Sequence, residues 1–495
     1  MWKKVHPRLV FITTLTVLVL LGGTTFFLNR LDATALRFHV PNLSKFWAPD
    51  TTQQTHNLDT AVLVTFYQID NPELNVDTSI VSSKTENPDV PSDSDTLGKP
   101  KKVKIVGQEH LKNKIYSLQF PPNNPNLLAP FYESLRRETG KRTIRILHFG
   151  DSQIEGDRIS GYLRHRFQER FGGSGPGLLT CSPPLAQHAT IEQKVEGSWI
   201  HDNVMNPSSV TNHLSFGIMG QTSVFTNVPP QQAAIHFRLS YLSYPTARNY
   251  NWVRIFLGKS NYPLEINLYG KDSLILVDSF VPEDELNVFG FMLNKTPTDI
   301  TFRFRSQQSP NFYAIVLDQT TGVTVDNIPW RGSSGAQFSK IDKDLLRYFF
   351  KQLNVRFIIL QFGVNVVKNI QNSYRWYEDI LVKQLEHLRS ATGDTPILLV
   401  GVSDMSRKVD GGYESYPNIP AIRDAQRRAA FRTGCAFWDC YEAMGGKNSM
   451  QEWVNADPPL ANKDFVHFNM RGNKIIAHML YQAIMEHYES SVVQP

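Results

Sequence analysis

The sequence predicts an α/β protein: a parallel sheet with helices on both faces, interrupted by an antiparallel β-sandwich and preceded by one N-terminal transmembrane helix. Three observations carry this. Continuous apolar strands, among them Val355 to Phe362 and Pro396 to Val402, alternate with amphipathic helices, as strands buried on both faces require. Between Cys181 and about Asp326 the pattern changes to short alternating stretches separated by Gly, Pro, Asn and Asp, with no helix between them. The run from Leu9 to about Leu28 carries no charge and follows Lys3, Lys4 and Arg8.

The elements follow in chain order. About 20 helical residues at ~1.5 Å each match a bilayer core of ~30 Å, so residues 1–29 read as a signal anchor. Positive residues before the run place the N-terminus in the cytoplasm and the remainder in the periplasm, tethered to the inner membrane. A cleaved signal peptide is the competing reading, and it exports the same remainder. Residues 30–107 form a stem and linker, with one strand-like stretch from Thr60 to Tyr67 and a Ser-, Asp-, Pro- and Lys-rich tether from about Val81. That tether lacks the apolar residues that would offset its ordering entropy.

The folded part begins at 108–180, with a first core strand entering at Thr143 and a helix stripe of Ile159, Leu163, Phe167 and Phe171 behind it. Residues 181–326 form the inserted sandwich. Its aromatics, Tyr241, Tyr244, Tyr250, Trp252, Tyr262 and Tyr269, are either sugar-stacking or core residues, and Tyr244 to Tyr250 reads as an exposed loop. Residues 327–490 return to the parallel sheet: strand 355–362, a helix with Trp376, Ile380, Leu381, Leu385 and Leu388, strand 396–402, and a helix from Ile419 to Thr433. The closing helix carries Ile475, Ile476, Met479, Leu480, Ala483 and Ile484 on its buried face.

Composition narrows the function classes. A net charge of +5 over 495 residues, without an aromatic-interleaved basic patch, argues against nucleic acid as a partner. The three cysteines, Cys181, Cys435 and Cys440, lack metal-site spacing. A short strand between Cys435 and Cys440 would hold those two apart, so neither a disulfide nor a metal site is expected.

The chemistry-bearing residues sit where strands end. Gly150-Asp151-Ser152-Gln153 follows the first core strand, and Asp464-Phe465-Val466-His467 precedes the last helix. A serine hydroxyl needs an imidazole to take its proton and a carboxylate to orient that imidazole. Taken singly, Gly-Asp-Ser is common turn chemistry, and Asp464 and His467 could be a helix cap and a surface histidine. The third element, Gly363-Val364-Asn365, supplies a side-chain amide that can donate to a developing oxyanion. Asp151 and Asp404 are other available carboxylates, Asp151 being better suited to shaping the nucleophile turn.

With these blocks in place the sequence resembles the SGNH, or GDSL-like, hydrolase family. Gly150-Asp151-Ser152 matches its nucleophile block, Gly363-Val364-Asn365 its Gly-x-Asn block, and Asp464-x-x-His467 its C-terminal block. The segment Trp330-Arg331-Gly332-Ser333-Ser334-Gly335-Ala336-Gln337 matches the block that supplies an oxyanion glycine, with Gly335 the first choice and Gly332 the second. Val366 stands where the family usually has Asp. Val402 to Ser406 and Phe437 to Gly446 look like the branch of envelope esterases that includes peptidoglycan O-acetylesterases.

The resemblance implies a flavodoxin-like three-layer domain carrying a carbohydrate-binding-like insertion. It also implies Ser152, His467 and Asp464 as catalytic residues, and the amides of Ser152 and Gly335 with the Asn365 side chain as oxyanion hole. Trp330 and Arg331, adjacent to the glycine block, could border the substrate, with Arg331 alternatively bracing the loop, and no cofactor is needed. The implied activity is removal of O-acetyl groups from an O-acetylated glycan, peptidoglycan first. A polysaccharide O-acetyltransferase using the same serine and a non-enzymatic glycan-binding scaffold are the alternatives.

Overall fold

The computed structural model describes residues 117–493 except 183–187, 208–215, 227–230 and 272. The expected membrane helix, the stem with its Thr60 to Tyr67 strand and the tether lie outside the described residues. Among the described residues no helix is long and apolar enough to cross a membrane.

The first strand, β1 (Thr143–Gly150), is buried along its whole length. Five of its eight residues are apolar or Gly, and only Arg145 and His148 among the larger polar ones must find internal partners. After it come a 3-10 turn (Ser152–Asp157) and helix α2 (Ser160–Phe171), α1 (Ala129–Arg137) having preceded it. The antiparallel part follows as β2 (Gly177–Leu179), β3 (Ile191–Glu196), β4 (Trp199–Asn203), β5 (Gln221–Phe225), β6 (Gln231–Leu239), β7 (Trp252–Leu257), β8 (Leu264–Gly270), β9 (Ser273–Phe280), β10 (Asn287–Met292), β11 (Asp299–Ser306) and β12 (Phe312–Asp318). The chain then returns through β13 (Gly322–Pro329), α3 (Lys343–Leu353), β14 (Val355–Gln361), the short α4 (Val364–Val367), α5 (Arg375–Thr392) and β15 (Ile397–Val400). A hairpin of β16 (Ser406–Val409) and β17 (Gly412–Ser415) precedes α6 (Ile419–Arg432), β18 (Ala436–Trp438), α7 (Cys440–Ala443), α8 (Ser449–Asn455) and α9 (Met470–Val493).

The parallel sheet has the order β13-β1-β14-β15-β18. Counting only its own strands, that is 2-1-3-4-5, the flavodoxin-like doubly wound order, whose switch point lies between the first and third strands. Ile144, Ile146, Val325, Phe357 and Ile359 face a core shared with α1, α2 and α9, while Leu147, Phe149, Ile358 and Leu360 face one shared with α3 and α5. Helices on both faces make three layers.

The insertion is two antiparallel sheets, one containing β10-β7-β12-β5-β4 with β2 joined to β12, the other β3-β6-β11-β8-β9. Both contribute to one core, with Val253, Ile255 and Ile315 meeting Ile235, Ile266 and Phe302. The first of these sheets has a second buried face: Phe256, Ala314 and Val316 pack with Phe349 and Leu353 of α3. The ionic residues at this seam form a closed set. Arg145 of β1 bonds Asp326 of β13 at 2.6 and 2.7 Å and also Asp318 of β12, which in turn takes Arg254 of β7 at 3.1 Å. Leu178 of β2 donates its N–H to Asp326 as well, at 2.8 Å.

Three sequence expectations need correction. Residues 322–326, assigned to the insertion, belong to the parallel sheet, because β13 pairs with β1 from Thr143↔Gly322 to Gly150↔Pro329. Residues 177–179 go the other way, since β2 pairs with β12. On α5 the buried stripe runs through Tyr377 rather than Trp376, which is 39% exposed. Of the inserted aromatics, Tyr250 is buried, Tyr244 stacks on His165 of α2, and Tyr241 and Tyr262 are exposed.

Candidate active site

The nucleophile turn forms where β1 runs out at the switch point. Gly150 is needed there, since a Cβ would lie 2.8 Å from the Gln361 carbonyl of β14. Asp151 is extended and caps the 3-10 turn by accepting the Gln153 N–H at 3.0 Å. Its carboxylate is buried, and burial pushes its pKa up to about 7, against hydrogen bonds from the backbone N–H groups of Gln153, Val364 and Gly363. The bonds to Gly363 and Val364 tie the nucleophile turn to the start of α4. Gly363 itself has φ +137°, and a Cβ there would meet Val402 Cβ at 2.8 Å. The residue after Val364 is Asn365, so an acid the sequence suggested only for turn shaping ties the segment that carries Asn365 to the nucleophile turn.

Ser152 and His467, 315 residues apart, meet: Ser152 Oγ lies 2.7 Å from His467 Nε2. His467 Nδ1 lies 2.7 Å from Asp464 Oδ2, and Asp464 Oδ1 accepts the backbone N–H groups of Val466 and His467, each at 3.0 Å. With Nδ1–H donating to the carboxylate, Nε2 is the lone-pair nitrogen facing the serine. Burial pushes the Asp464 pKa up, but the hydrogen bonds from the His467 ring and the two N–H groups outweigh it and leave the carboxyl below its ordinary value. Its side chain is 46% exposed, so water screens its pairing with an imidazolium.

The loop bearing these two residues is held from three sides. Phe465 takes φ +58°, stacks on Tyr413 of β17, and its carbonyl accepts the Ser406 N–H at 3.0 Å. Asn462 N–H donates to the His467 carbonyl at 2.8 Å. Gln153, the residue after the nucleophile, donates Nε2 to the Val466 carbonyl at 2.8 Å and to Ser403 Oγ at 3.3 Å. Sequence reasoning quoted Gln153 without a role for it. Its partners, 313 and 250 residues away, are nowhere signalled by its own surroundings.

Asn365 Nδ2 donates to the Ser333 carbonyl at 2.8 Å, which fixes one amide hydrogen and leaves the second to point elsewhere. Gly335, first choice for the oxyanion glycine, is buried and its N–H donates to Ser333 Oγ at 2.8 Å, so that donor is engaged. Gly332, with φ +80° and open space around it, sits on the exposed arm of the same loop and makes none of the backbone hydrogen bonds found among the described residues. The second choice is the better-presented amide. Trp330 is corrected too: it is 3% exposed, its indole donates to the Met219 carbonyl at 2.9 Å, and it packs on Phe149 and Phe338, so it supports the loop from beneath. Arg331 is exposed, 3.6 Å from Glu155 of the nucleophile turn. Asp404 is buried and accepts Ser415 Oγ at 2.8 Å and the Met450 N–H at 2.9 Å, holding the hairpin and α8.

Residues 298–475 match the GDSL-like lipase/acylhydrolase family. No curated protein matches the sequence. Among solved structures, a peptidoglycan O-acetylesterase superposes with a TM-score of 0.58 at 20% identity, over 75% of this chain and 99% of that one. A GDSL-like lipase from Parabacteroides merdae gives 0.25 at 17% identity, over 33% and 74%, and an acetyl xylan esterase 0.26 at 19%, over 33% and 81%. Only the first of these scores bears on the fold. Over residues 298–475 the chain is similar in sequence to the GDSL-like lipase/acylhydrolase family, and it shares its fold with that peptidoglycan O-acetylesterase structure.

Proposed function

We propose that the protein is a serine esterase that removes O-acetyl groups from a cell-envelope glycan, with O-acetylated peptidoglycan as its substrate. The observation that carries the esterase reading is the unbroken chain Ser152–His467–Asp464, with both links at 2.7 Å, at the switch point of the sheet. In the proposed reaction Ser152 Oγ attacks the ester carbonyl while its proton passes to His467 Nε2, and Asp464 stabilises the imidazolium through Nδ1–H. The oxyanion takes the Ser152 N–H, a glycine N–H of the 332–335 loop and the second amide hydrogen of Asn365. Collapse returns the His467 proton to the departing sugar oxygen. The acetyl-Ser152 that remains is hydrolysed by water, activated in turn by His467, to release acetate.

The glycan and its location are supported by the sequence and by likeness. The charged start and uncharged run after it favour a chain anchored in the inner membrane with its folded part in the periplasm. The structural neighbour with the same overall fold is a peptidoglycan O-acetylesterase. The test is acetate release by the full-length protein from O-acetylated and chemically de-acetylated peptidoglycan, beside Ser152→Ala. Release from the acetylated wall alone, lost in the variant, is the expected result. Cleavage of an aryl acetate through Ser152 with none from the wall would keep the esterase and remove the polymer. Acetyl groups appearing on an added glycan would make the enzyme a transferase.

A further inference from the structure

We propose that Arg331 and Arg158 form a subsite for a carboxylate on the alcohol side of the ester, so that the substrate is an acidic glycan. This rests on the esterase reading above and narrows its substrate. The two guanidinium groups approach the nucleophile turn from different elements. Arg158 lies just past the 3-10 turn, donating Nε to the Glu155 carbonyl at 2.6 Å and Nη2 to the Ser152 carbonyl at 3.3 Å. Arg331 is fixed in place by its neighbours: Trp330 N–H donates to the Gly150 carbonyl at 2.7 Å, and Ser333 O accepts Asn365 Nδ2 at 2.8 Å. Position 331 is therefore on the loop that borders both Ser152 and Asn365.

The charges do not balance. Glu155 lies 3.6 Å from Arg331 and is also the acid that acts on Arg158, so two cations share one carboxylate and one positive charge is left over. Arg158 has no carboxylate within ion-pair distance among the described residues, and its burial pushes its pKa down. A partly buried cation left without a full counter-charge is costly. The Arg331 guanidinium is 60% exposed, and at 3.6 Å its contact with Glu155 is looser than a hydrogen bond, so its planar fork remains available for a bidentate anion. Because Arg331 stands on the exposed rim, it meets the part of the substrate that stays outside the nucleophile pocket. For an O-acetylated polymer that part is the alcohol, not the acetyl group. Stem-peptide carboxylates and uronate carboxylates share the required chemistry.

The test compares acetylated peptidoglycan before and after its carboxylates are capped with methylamine by carbodiimide, using the full-length protein, Arg331→Gln, Arg331→Lys and Glu155→Gln. Capping is expected to raise KM of the unmodified enzyme about five- to tenfold, in line with loss of a charge-assisted pair. Arg331→Gln should show the raised KM already and respond little to capping, Arg331→Lys should recover part of the difference, and Glu155→Gln should lower KM on the uncapped polymer. Equal responses of Arg331→Gln and the unmodified enzyme to capping would overturn the proposal, as would a fall in kcat with KM and its response to capping preserved. Comparing acetylated peptidoglycan with an acetylated uronate-containing polysaccharide, each with and without capping, separates the two carboxylate sources. If no wall preparation is cleaved, the ratio of kcat/KM for 3- and 4-acetoxybenzoate over phenyl acetate replaces the polymer. A ratio that falls in Arg331→Gln supports the subsite even though the wall substrate has failed, and an unchanged ratio refutes it.

Discussion

Replacing Gln153 with Leu separates positioning from stability. The side chain spends its Nε2 on the Val466 carbonyl at 2.8 Å and Ser403 Oγ at 3.3 Å, while its buried Oε1 has no partner among the described residues. Removing the donor leaves the Val466 carbonyl short of a partner, at a cost of ~1–3 kcal/mol. Removing the orphan Oε1 returns a desolvation penalty of about the same size. The two nearly cancel, so Gln153→Leu should shift stability by no more than about 2 kcal/mol, or a few °C in Tm. Catalysis has no such compensation. Val466 is joined directly to His467, and freeing its carbonyl loosens the backbone that sets the 2.7 Å Ser152–His467 bond. A misplacement of about 1 Å can cost on the order of 100-fold. We expect kcat on 4-nitrophenyl acetate to fall roughly 30- to 100-fold, with a parallel slowing of labelling by an organophosphonate, and Tm to move little. A kcat within about threefold of the parent would refute the positioning role. A loss of activity tracking a large fall in Tm would show that Gln153 acts only by holding the fold.

Three further outcomes rest on other side chains of the same domain. Asp464→Asn keeps an oxygen for the Val466 and His467 N–H groups but can turn an amide N–H toward His467 Nδ1. Stability should change by under about 1 kcal/mol while kcat drops ~10²- to 10⁴-fold, read by parallel melts and ester hydrolysis. His148, buried in β1 between Gln361 and Ser160, has its pKa lowered to about 4 from 6.5 by burial. The unfolded chain takes up this proton near pH 6.5 and the folded one only near 4, so this contribution is intact above 6.5. Roughly 3 kcal/mol should be lost as pH falls between those values, and His148→Gln should flatten that slope in urea titrations. Asp326→Ala leaves Arg145 with only Asp318, which it already shares with Arg254, and should cost about 3–5 kcal/mol in the same assay. A loss below about 1 kcal/mol would show that the seam does not depend on this set.

The parallel sheet was legible wherever strands were continuously apolar, as in Val355 to Gln361, since that pattern follows from burial on both faces. β13 was misread for the opposite reason. It is fully buried apart from its last residue, yet Val323-Thr324-Val325-Asp326 alternates like the sandwich strands before it. Its polar members are there because Asp326 meets Arg145 and the Leu178 N–H, partners that only the folded chain brings close. The three residues that meet as Ser152–His467–Asp464 could be singled out because each block sits at an element boundary, where spacing along the chain is short. What binds the blocks to one another was not. The Asp151 bonds to α4, the Gln153 bond to Val466 and the choice between Gly332 and Gly335 all depend on where Ser333 and distant carbonyls lie.

The family match begins at residue 298 and so omits Ser152, although Ser152 completes the site. The sheet explains how the nucleophile can stand so far outside the rest. The insertion leaves through β2 and returns through β12, and these strands pair directly, Leu179 with Ile315 and Gly177 with Leu317. Its two ends are thus held together by a ladder of their own, and the chain between them adds only slowly to the closure entropy, about 0.6 kcal/mol for each doubling of length. Immediately beyond that clamp, β13 enters the sheet beside β1 in register through Gly150↔Pro329. The next residue, Trp330, donates its N–H back to the Gly150 carbonyl at 2.7 Å. The nucleophile turn and the 330–335 loop are therefore set against each other by backbone pairing, whatever the length of chain inserted between them. Growth within the insertion is confined to the far side of the clamp, where it can add surface for a polymer without shifting Ser152 relative to Asn365 and His467.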